Sequence, residues 1–467
     1  MSNFGRRGFL KSAAVGTAGV VLAGCNANLD KQAQKVPPRQ GKNVCGMHTK
    51  PLKKVRIGII GIGMRGPGAV KRLASIEGTE IVAVCDIRKS RVDVAQRILK
   101  DKKRPKAFEY FGSEDAWKKL CERDDIDLVY ACTPWELHTP NCVYAMNHGK
   151  HVAVEVPAAL TVKECWELVN TSERTQRHCM MLENCCYDAF EMMTLNMVRK
   201  GVLGDLIHGE AAYIHDLRHL NFKRNGYYNM WRLRENAVRN GNLYPTHGLG
   251  PVSQCMNINR GDKFEYLTSL SSNDFMMQNL AKQRAKNDSF FRKFTDADFR
   301  GNMNTTLIKT AKGRSIMVQH DVTSPRPYSR IHMLSGTKGF AQKWPNQLIS
   351  LDGYTLADGK KTSSHRYLNK AQFAEVYKKY QHPLYSKKGT WAKKLGGHGG
   401  MDSIMDWRLI YCLKNGLPVD QDVYDAAAWS VISPLTEWSV SHRSNSIDVP
   451  DFTRGSWKTN KPLMIKA

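Results

Sequence analysis

The chain has 467 residues, and its 70 Lys and Arg against 43 Asp and Glu leave a formal net charge of +27; such a length suits two domains of the usual ~100–200 residues. The cations are scattered rather than gathered into an aromatic-interleaved block, which argues against nucleic acid as a partner; solubility, attraction to anionic lipid or acidic glycans, and a habitual use of lysine account for the charge. The 12 cysteines, the vicinal Cys185-Cys186 included, show neither metal-ligand spacing nor a regular disulfide framework, so neither a metal site nor a disulfide scaffold is expected.

Residues 1–25 read as an export signal. Gly5-Arg6-Arg7-Gly8-Phe9-Leu10-Lys11 is a twin-arginine pattern, and the apolar run over residues 12–24 is shorter than the roughly 20 residues a spanning helix needs. The run closes in Leu22-Ala23-Gly24-Cys25, which resembles a lipobox. Lipidation of Cys25 would hold the protein at a membrane surface, in the periplasm or cell envelope, without crossing the bilayer. The competing reading is an ordinary cleaved signal with an accidental cysteine. The twin-arginine route exports folded proteins, so a cofactor can travel inside one. Residues 26–51 carry Lys, Gln, Asn and Pro with no hydrophobic period and read as a flexible tether.

From residue 52 to 186, short apolar runs alternate with helical spacing. Strands are predicted at residues 55–60, 81–85, 107–111, 127–132, 151–155 and 179–183, with helices at 66–76, 90–99, 113–120, 140–148 and 162–175. That alternation implies a doubly wound parallel sheet of the Rossmann type, an α/β domain. Over residues 187–467 one more helix, 190–200, precedes strand-like runs at 207–214, 267–272, 304–310, 315–320 and 330–335 without helices between them. They imply an α+β domain with a mostly antiparallel open sheet, whose exposed face is a candidate dimer surface. Two final helices, 402–414 and 423–442, are free to pack back on the first domain.

The first strand runs into Gly61-Ile62-Gly63-Met64-Arg65-Gly66, a G-x-G-x-x-G that opens a helix. Its glycines allow a tight turn and let backbone approach a pyrophosphate, and the helix start supplies free N–H groups. Asp86 ends the second strand twenty residues after Gly66, where a carboxylate accepts hydrogen bonds from a ribose diol and repels a 2′-phosphate, so the expected cofactor is NAD. The fourth strand ends in Thr133-Pro134-Trp135-Glu136-Leu137-His138 and the fifth in Glu155-Val156-Pro157, at the sheet edge where such folds place ligands.

These strand ends closely resemble those of the Gfo/Idh/MocA oxidoreductases, except that Val156 stands where most of them have a lysine near the nicotinamide. The resemblance sharpens at Met181-Leu182-Glu183-Asn184-Cys185-Cys186-Tyr187, at Gly241-Asn242-Leu243-Tyr244-Pro245-Thr246-His247-Gly248-Leu249-Gly250-Pro251 and at Ser324-Pro325-Arg326-Pro327-Tyr328. With Val156, these stretches are similar to glycoside hydrolase family 109, the NAD-dependent α-N-acetylgalactosaminidases, over essentially the whole mature chain. The resemblance implies a tightly bound, recycled NAD and a redox-neutral hydrolysis. The sugar is oxidised at C3, the aglycone is eliminated, water adds and C3 is reduced again. It implies NAD contacts from Gly61, Gly63, Met64, Arg65, Gly66, Asp86, Trp135, Glu136, Leu137, His138, Glu155, Val156 and Asn184. It implies sugar contacts from Tyr213, Arg232, Tyr244, Pro245, Thr246, His247 and Tyr328, with His247 as the acid/base.

His398, between glycines ahead of a helix, suits either a ligand contact or a plain helix start, and Tyr187, Tyr227 and Tyr228 are all candidates for a base at C2. His215, His219 and His320 read as structural or rim residues. Two other functions compete: an NAD-dependent sugar oxidoreductase that releases NADH, and a non-catalytic glycan-binding lipoprotein. Intact Gly61, Gly63, Gly66 and Asp86 argue against the second.

Overall fold

The computed structural model describes residues 28–463 and residue 465, so the twin-arginine pattern and Cys25 lie outside the described residues. Among those described, no helix is long and apolar enough to cross a membrane.

Six strands build the first sheet: β1 (Val55–Ile60), β2 (Thr79–Cys85), β3 (Phe108–Tyr110), β4 (Leu128–Ala131), β5 (His151–Val154) and β6 (Cys179–Met181). All pair in parallel in the order β3-β2-β1-β4-β5-β6. β4 and β5 are buried at every residue, as expected of strands covered by helices on both faces. The covering helices are amphipathic and locally specified. Val162–Thr175, for instance, starts at a capping box in which the Thr161 hydroxyl accepts from the Glu164 N–H at 3.1 Å and the Glu164 carboxylate from the Thr161 N–H at 3.0 Å. The strand order reverses between β1 and β4, which opens a crevice at their carboxyl ends.

The second sheet has eight strands: β7 (Leu206–Ile214), β8 (Phe264–Ser271), β9 (Asn304–Thr310), β10 (Ser315–Asp321), β11 (Met333–Gly336), β12 (Gly339–Gln342), β13 (Leu348–Leu351) and β14 (Ile447–Asp448). Their order is β13-β12-β11-β7-β10-β9-β8-β14, and only the β7–β10 pair is parallel. One face packs on helices, while Tyr266, Leu270 and Leu307 stand exposed on the outer strands.

The expectation of strands without intervening helices is corrected. Helices Trp231–Val238 and Thr246–Cys255 lie between β7 and β8, Met277–Asn287 lies between β8 and β9, and Lys370–Tyr380 and Pro383–Leu395 follow β13. Thr246–Cys255 contains Gly248, Gly250 and Pro251, residues that oppose helix in isolation. Here Gly248 is required by packing: a Cβ on it would sit 2.3 Å from the Ala212 nitrogen of β7. The excursion between β7 and β9 has its own apolar cluster, including Phe222, Met230, Leu233, Phe291 and Phe294. The run 423–442 is two helices, Val423–Ser430 and Ile432–Ser441, and helix Met401–Asn415 packs on helix Gly66–Leu73 and β1.

The flexible tether is also corrected for residues 28–51. Leu29, Ala33 and Val44 are buried, and the Arg39 guanidinium donates to Glu173, to the Tyr424 hydroxyl at 3.1 Å, to the Thr453 carbonyl at 2.8 Å and to Ser456. Arg454 reaches the other oxygen of the buried Glu173 at 2.8 Å. An aperiodic strap held by one charge cluster leaves no hydrophobic period to read.

Candidate active site

At the crevice, Gly61 takes φ +89°, and a Cβ on it would lie 2.6 Å from the Cys132 carbonyl oxygen. A Cβ on Gly66 would lie 2.1 Å from the Gly61 oxygen, so the turn closes only with glycine at both positions. Gly63 is different: a Cβ on it would meet nothing nearer than an Arg88 nitrogen at 3.9 Å, so a side chain there would fill the space over the turn. The Asp86 carboxylate is buried at the end of β2, accepting from the Ile62 N–H at 2.9 Å and the Arg88 N–H at 3.0 Å. This cradle of glycine backbone, helix start and fixed carboxylate fits a dinucleotide with a free ribose diol.

Arg65 leaves the turn to donate to Glu155 at 2.8 Å and to Asp402 at 3.2 Å, and lies 3.3 Å from His398 Nδ1, whereas Met64 is exposed. Asn184 donates to the other oxygen of Asp402, and His398 Nδ1 lies 2.9 Å from Asp402. His398, left open on sequence, is thereby at the site. Burial would raise the Asp402 carboxyl, but His398, Arg65 and Arg72 hold it well below the usual carboxylate range. Trp135, Glu136 and Leu137 form one 3-10 turn after β4, and Val156 is buried beside Glu155. His138 has its ring nitrogens turned to backbone, Nδ1 lying 2.6 Å from the Pro157 carbonyl and Nε2 2.9 Å from the Thr133 carbonyl. It ties the β4 end to the β5 end.

Beyond Trp135 lies a narrow recess lined by Tyr213, Arg232, Asn236, Leu243, Tyr244 and His320. Tyr213 comes from β7, Arg232 from helix Trp231–Val238 and Tyr244 from the segment just before helix Thr246–Cys255. Arg232 sits among aromatic rings, 5.2 Å from the centroids of Trp135 and Tyr227 and 4.9 Å from that of Tyr244, and it donates to the Tyr227 hydroxyl at 2.8 Å. Although buried, it remains cationic, held by its hydrogen bond to Tyr227 and packed against the aromatic faces of Trp135, Tyr227 and Tyr244. Burial pushes the Tyr213 phenol up to about 12 and those of Tyr244 and Tyr328 up as well, so all three are neutral hydrogen-bonding groups at pH 7. Tyr328 stands edge-on to Tyr213 at 6.2 Å.

His247, early in its helix, packs 4.8 Å from the Tyr244 ring and 5.1 Å from the Tyr213 ring, behind Pro245 and the buried Thr246. Its Nδ1 meets both oxygens of Glu183, at 2.8 and 3.0 Å. Glu183, just past β6, is fully buried and also accepts from the Cys185 N–H at 3.0 Å. Burial alone would raise its pKa, but the His247 charge and hydrogen bond, with the Cys185 N–H, bring it below the ordinary value. A buried carboxylate on Nδ1 fixes the tautomer and leaves Nε2 for proton exchange. Glu183 is the functional residue that sequence reading passed over; its only signal was its place in the Met181 to Tyr187 stretch.

Glu183, Cys185 and His247 bring donor atoms within 4.8 Å of one another. Arg330 Nη1, 3.1 Å from the Cys185 sulfur, puts a cation where a metal would need a thiolate, and burial keeps that thiol protonated. Tyr187 is removed as a candidate base: it is buried, and its hydroxyl donates to Asp420 at 3.0 Å. Tyr227 and Tyr228 do reach the site region. His320 is buried beside Tyr213, and His215 lies 3.2 Å from the Tyr213 hydroxyl.

Residues 187–459 match the family described as glycosyl hydrolase 109, C-terminal domain, and residues 55–183 match the oxidoreductase family with an NAD-binding Rossmann fold. An alpha-N-acetylgalactosaminidase of Shewanella oneidensis is 48% identical over 465 residues, covering 100% of this chain and 99% of that protein. A glycosyl hydrolase family 109 protein of Shewanella woodyi is 49% identical over 468 residues, with 100% of this chain and 99% of that protein covered. Among solved structures, levoglucosan dehydrogenase in complex with NADH and levoglucosan superposes with a TM-score of 0.61 at 16% identity, over 85% of this chain and 100% of that one. An oxidoreductase domain protein from Kribbella flavida does so at 0.63 and 16%, with the same coverage. At such identities the two structures speak for the fold alone.

Proposed function

The chain belongs to glycosyl hydrolase family 109 and is a glycoside hydrolase with an NAD-binding Rossmann domain, and from that premise we propose that it releases terminal α-N-acetylgalactosamine from glycans by a redox-neutral route on a resident NAD. One observation carries this reading. The His247–Glu183 pair stands where the sugar recess meets the end of β6, beside the crevice of the Rossmann sheet, and the recess is lined by Tyr, Arg, Trp and His rather than by two facing carboxylates. The usual two-acid glycosidase arrangement is therefore not the one these residues build.

The glycine turn, Asp86 and Arg65 would hold the cofactor. When bound, NAD supplies a hydride acceptor for the sugar C3 position and returns that hydride at the end. His247 takes the hydroxyl proton at Nε2, and Glu183 steadies the resulting imidazolium through Nδ1–H. A carbonyl at C3 would acidify the C2 hydrogen, so that a base takes the C2 proton while the C1–O bond breaks and the departing aglycone oxygen picks up a proton; water would then add across the C1–C2 double bond, its hydroxyl to C1 and its proton to C2. Arg232, Tyr213 and Tyr244 orient the sugar as a cation and two neutral phenols. A cofactor that ends as it began suits a compartment without an NAD pool. Export by the twin-arginine route, a lipid on Cys25 and pairing of two copies through the open face of the second sheet belong to the same proposal.

The test is release of p-nitrophenol from p-nitrophenyl α-N-acetylgalactosaminide with near-ultraviolet absorbance followed in parallel. Release without accumulating NADH, falling roughly 10²–10⁴-fold in His247→Ala, is the expected result. NADH formed from free sugars with no release would instead assign a sugar oxidoreductase.

A further inference from the structure

Residues 226–230 make a turn whose two ends serve different sites. Asn229 takes φ +48° and Met230 φ +51°, the left-handed region that residues other than glycine seldom occupy. Two such residues in succession store strain that the surroundings must hold, and Met230 is held: it is buried in the satellite cluster with Phe222 and Leu233. The outcome is that adjacent tyrosines diverge. The Tyr227 hydroxyl accepts from Arg232 at 2.8 Å in the sugar recess, while the Tyr228 ring lies under the Arg88 guanidinium, 4.9 Å from its carbon to the ring centroid.

Arg88 belongs to the other domain and to the other ligand. It follows Asp86 at the end of β2, donates to that carboxylate through both its backbone N–H at 3.0 Å and Nε at 3.3 Å, and its guanidinium lies 3.9 Å from where a Cβ on Gly63 would stand. It is thus the side chain that borders the ribose end of the cradle, and its outer surface is capped from across the crevice by an aromatic ring.

We propose that Tyr228 is a cofactor-retaining residue supplied by the sugar domain: it holds Arg88, and through it Asp86, in place at the ribose end, and the shared turn makes sugar binding at Tyr227–Arg232 tighten the hold on NAD. The inference rests on the NAD site of the preceding section. It explains how one strained turn can serve two ligands at once. By linkage the tightening is reciprocal, so NAD must equally favour sugar binding.

The experiment loads the full chain with NADH and follows its fluorescence as excess NAD displaces it, with and without N-acetylgalactosamine. Tyr228→Ala is expected to speed NADH loss on the order of tenfold, the range of one partly exposed cation–aromatic contact, and to abolish the slowing by sugar. Tyr228→Phe keeps the ring and should behave as wild type. Arg88→Gln breaks the same contact from the other side, and the double variant should lose no more than the larger single loss. Release from Tyr228→Ala within twofold of wild type, or equal loosening in Tyr228→Phe, would overturn the proposal. Because the readout is NADH release, the result is independent of glycosidase turnover, and a wild-type chain that takes up no NADH would instead overturn the NAD site itself.

Discussion

The cofactor cradle and the aromatic recess lie side by side but are made of different material. The cradle is backbone: Gly61, Gly63 and Gly66 act by having no side chain, and Asp86 is fixed by two backbone N–H groups. The recess is side chains drawn from β7, helix Trp231–Val238 and the start of helix Thr246–Cys255, with Glu183 arriving from the first sheet. Shape therefore sets the first, and charge and proton position set the second. Substitutions should sort accordingly.

The largest effect is expected in the cradle. Gly66→Ala forces a Cβ to 2.1 Å from the Gly61 oxygen, so the turn must open, and NAD should no longer be retained through gel filtration. Retention in that variant would mean the cradle is not shape-limited. In the recess the chemical analogue is Glu183→Gln, which keeps volume and removes the charge that holds His247. Its kcat should drop about hundredfold with KM little changed.

The same residue carries a pH signature. Its folded pKa lies below the unfolded 4.5, so its contribution to stability is present above that value and disappears as the pH falls through the lower folded one. Wild type should therefore lose more thermal stability than Glu183→Gln between pH 6 and about pH 3, and equal losses would show that the pair contributes nothing to folding. The smallest effect belongs to Tyr213→Phe. It deletes one neutral hydroxyl and should raise KM two- to tenfold, in line with about 0.5–1.5 kcal/mol for one hydrogen bond.

The contrast in material also decides what the sequence revealed. β1, β2 and β4 to β6 were legible because strands buried on both faces are short apolar runs, and the glycine turn was legible because shape is written in glycines at fixed spacing. The recess was legible only through resemblance. Tyr213 and Arg232 look like a strand aromatic and a surface cation until the five chain segments of the recess come together. Glu183 ends an apolar strand, and nothing local distinguishes it before His247, 64 residues later, lands on its carboxylate. His138 was legible as a residue at the β4 end, but its two backbone carbonyl neighbours are invisible in sequence. Helix Thr246–Cys255 was missed because close packing on β7 demands the residues that helix propensity disfavours.

The strap of residues 28–51 has a temporal side. Arg39 finds its acceptors on Glu173, Tyr424, Thr453 and Ser456, the last two more than 400 positions downstream, at separations of 414 and 417. A nascent or truncated chain leaves that guanidinium with most of its acceptors missing. Full docking of this segment is thus a late event: the complete set of Arg39 contacts forms only once the chain around Tyr424, Thr453 and Ser456 has folded.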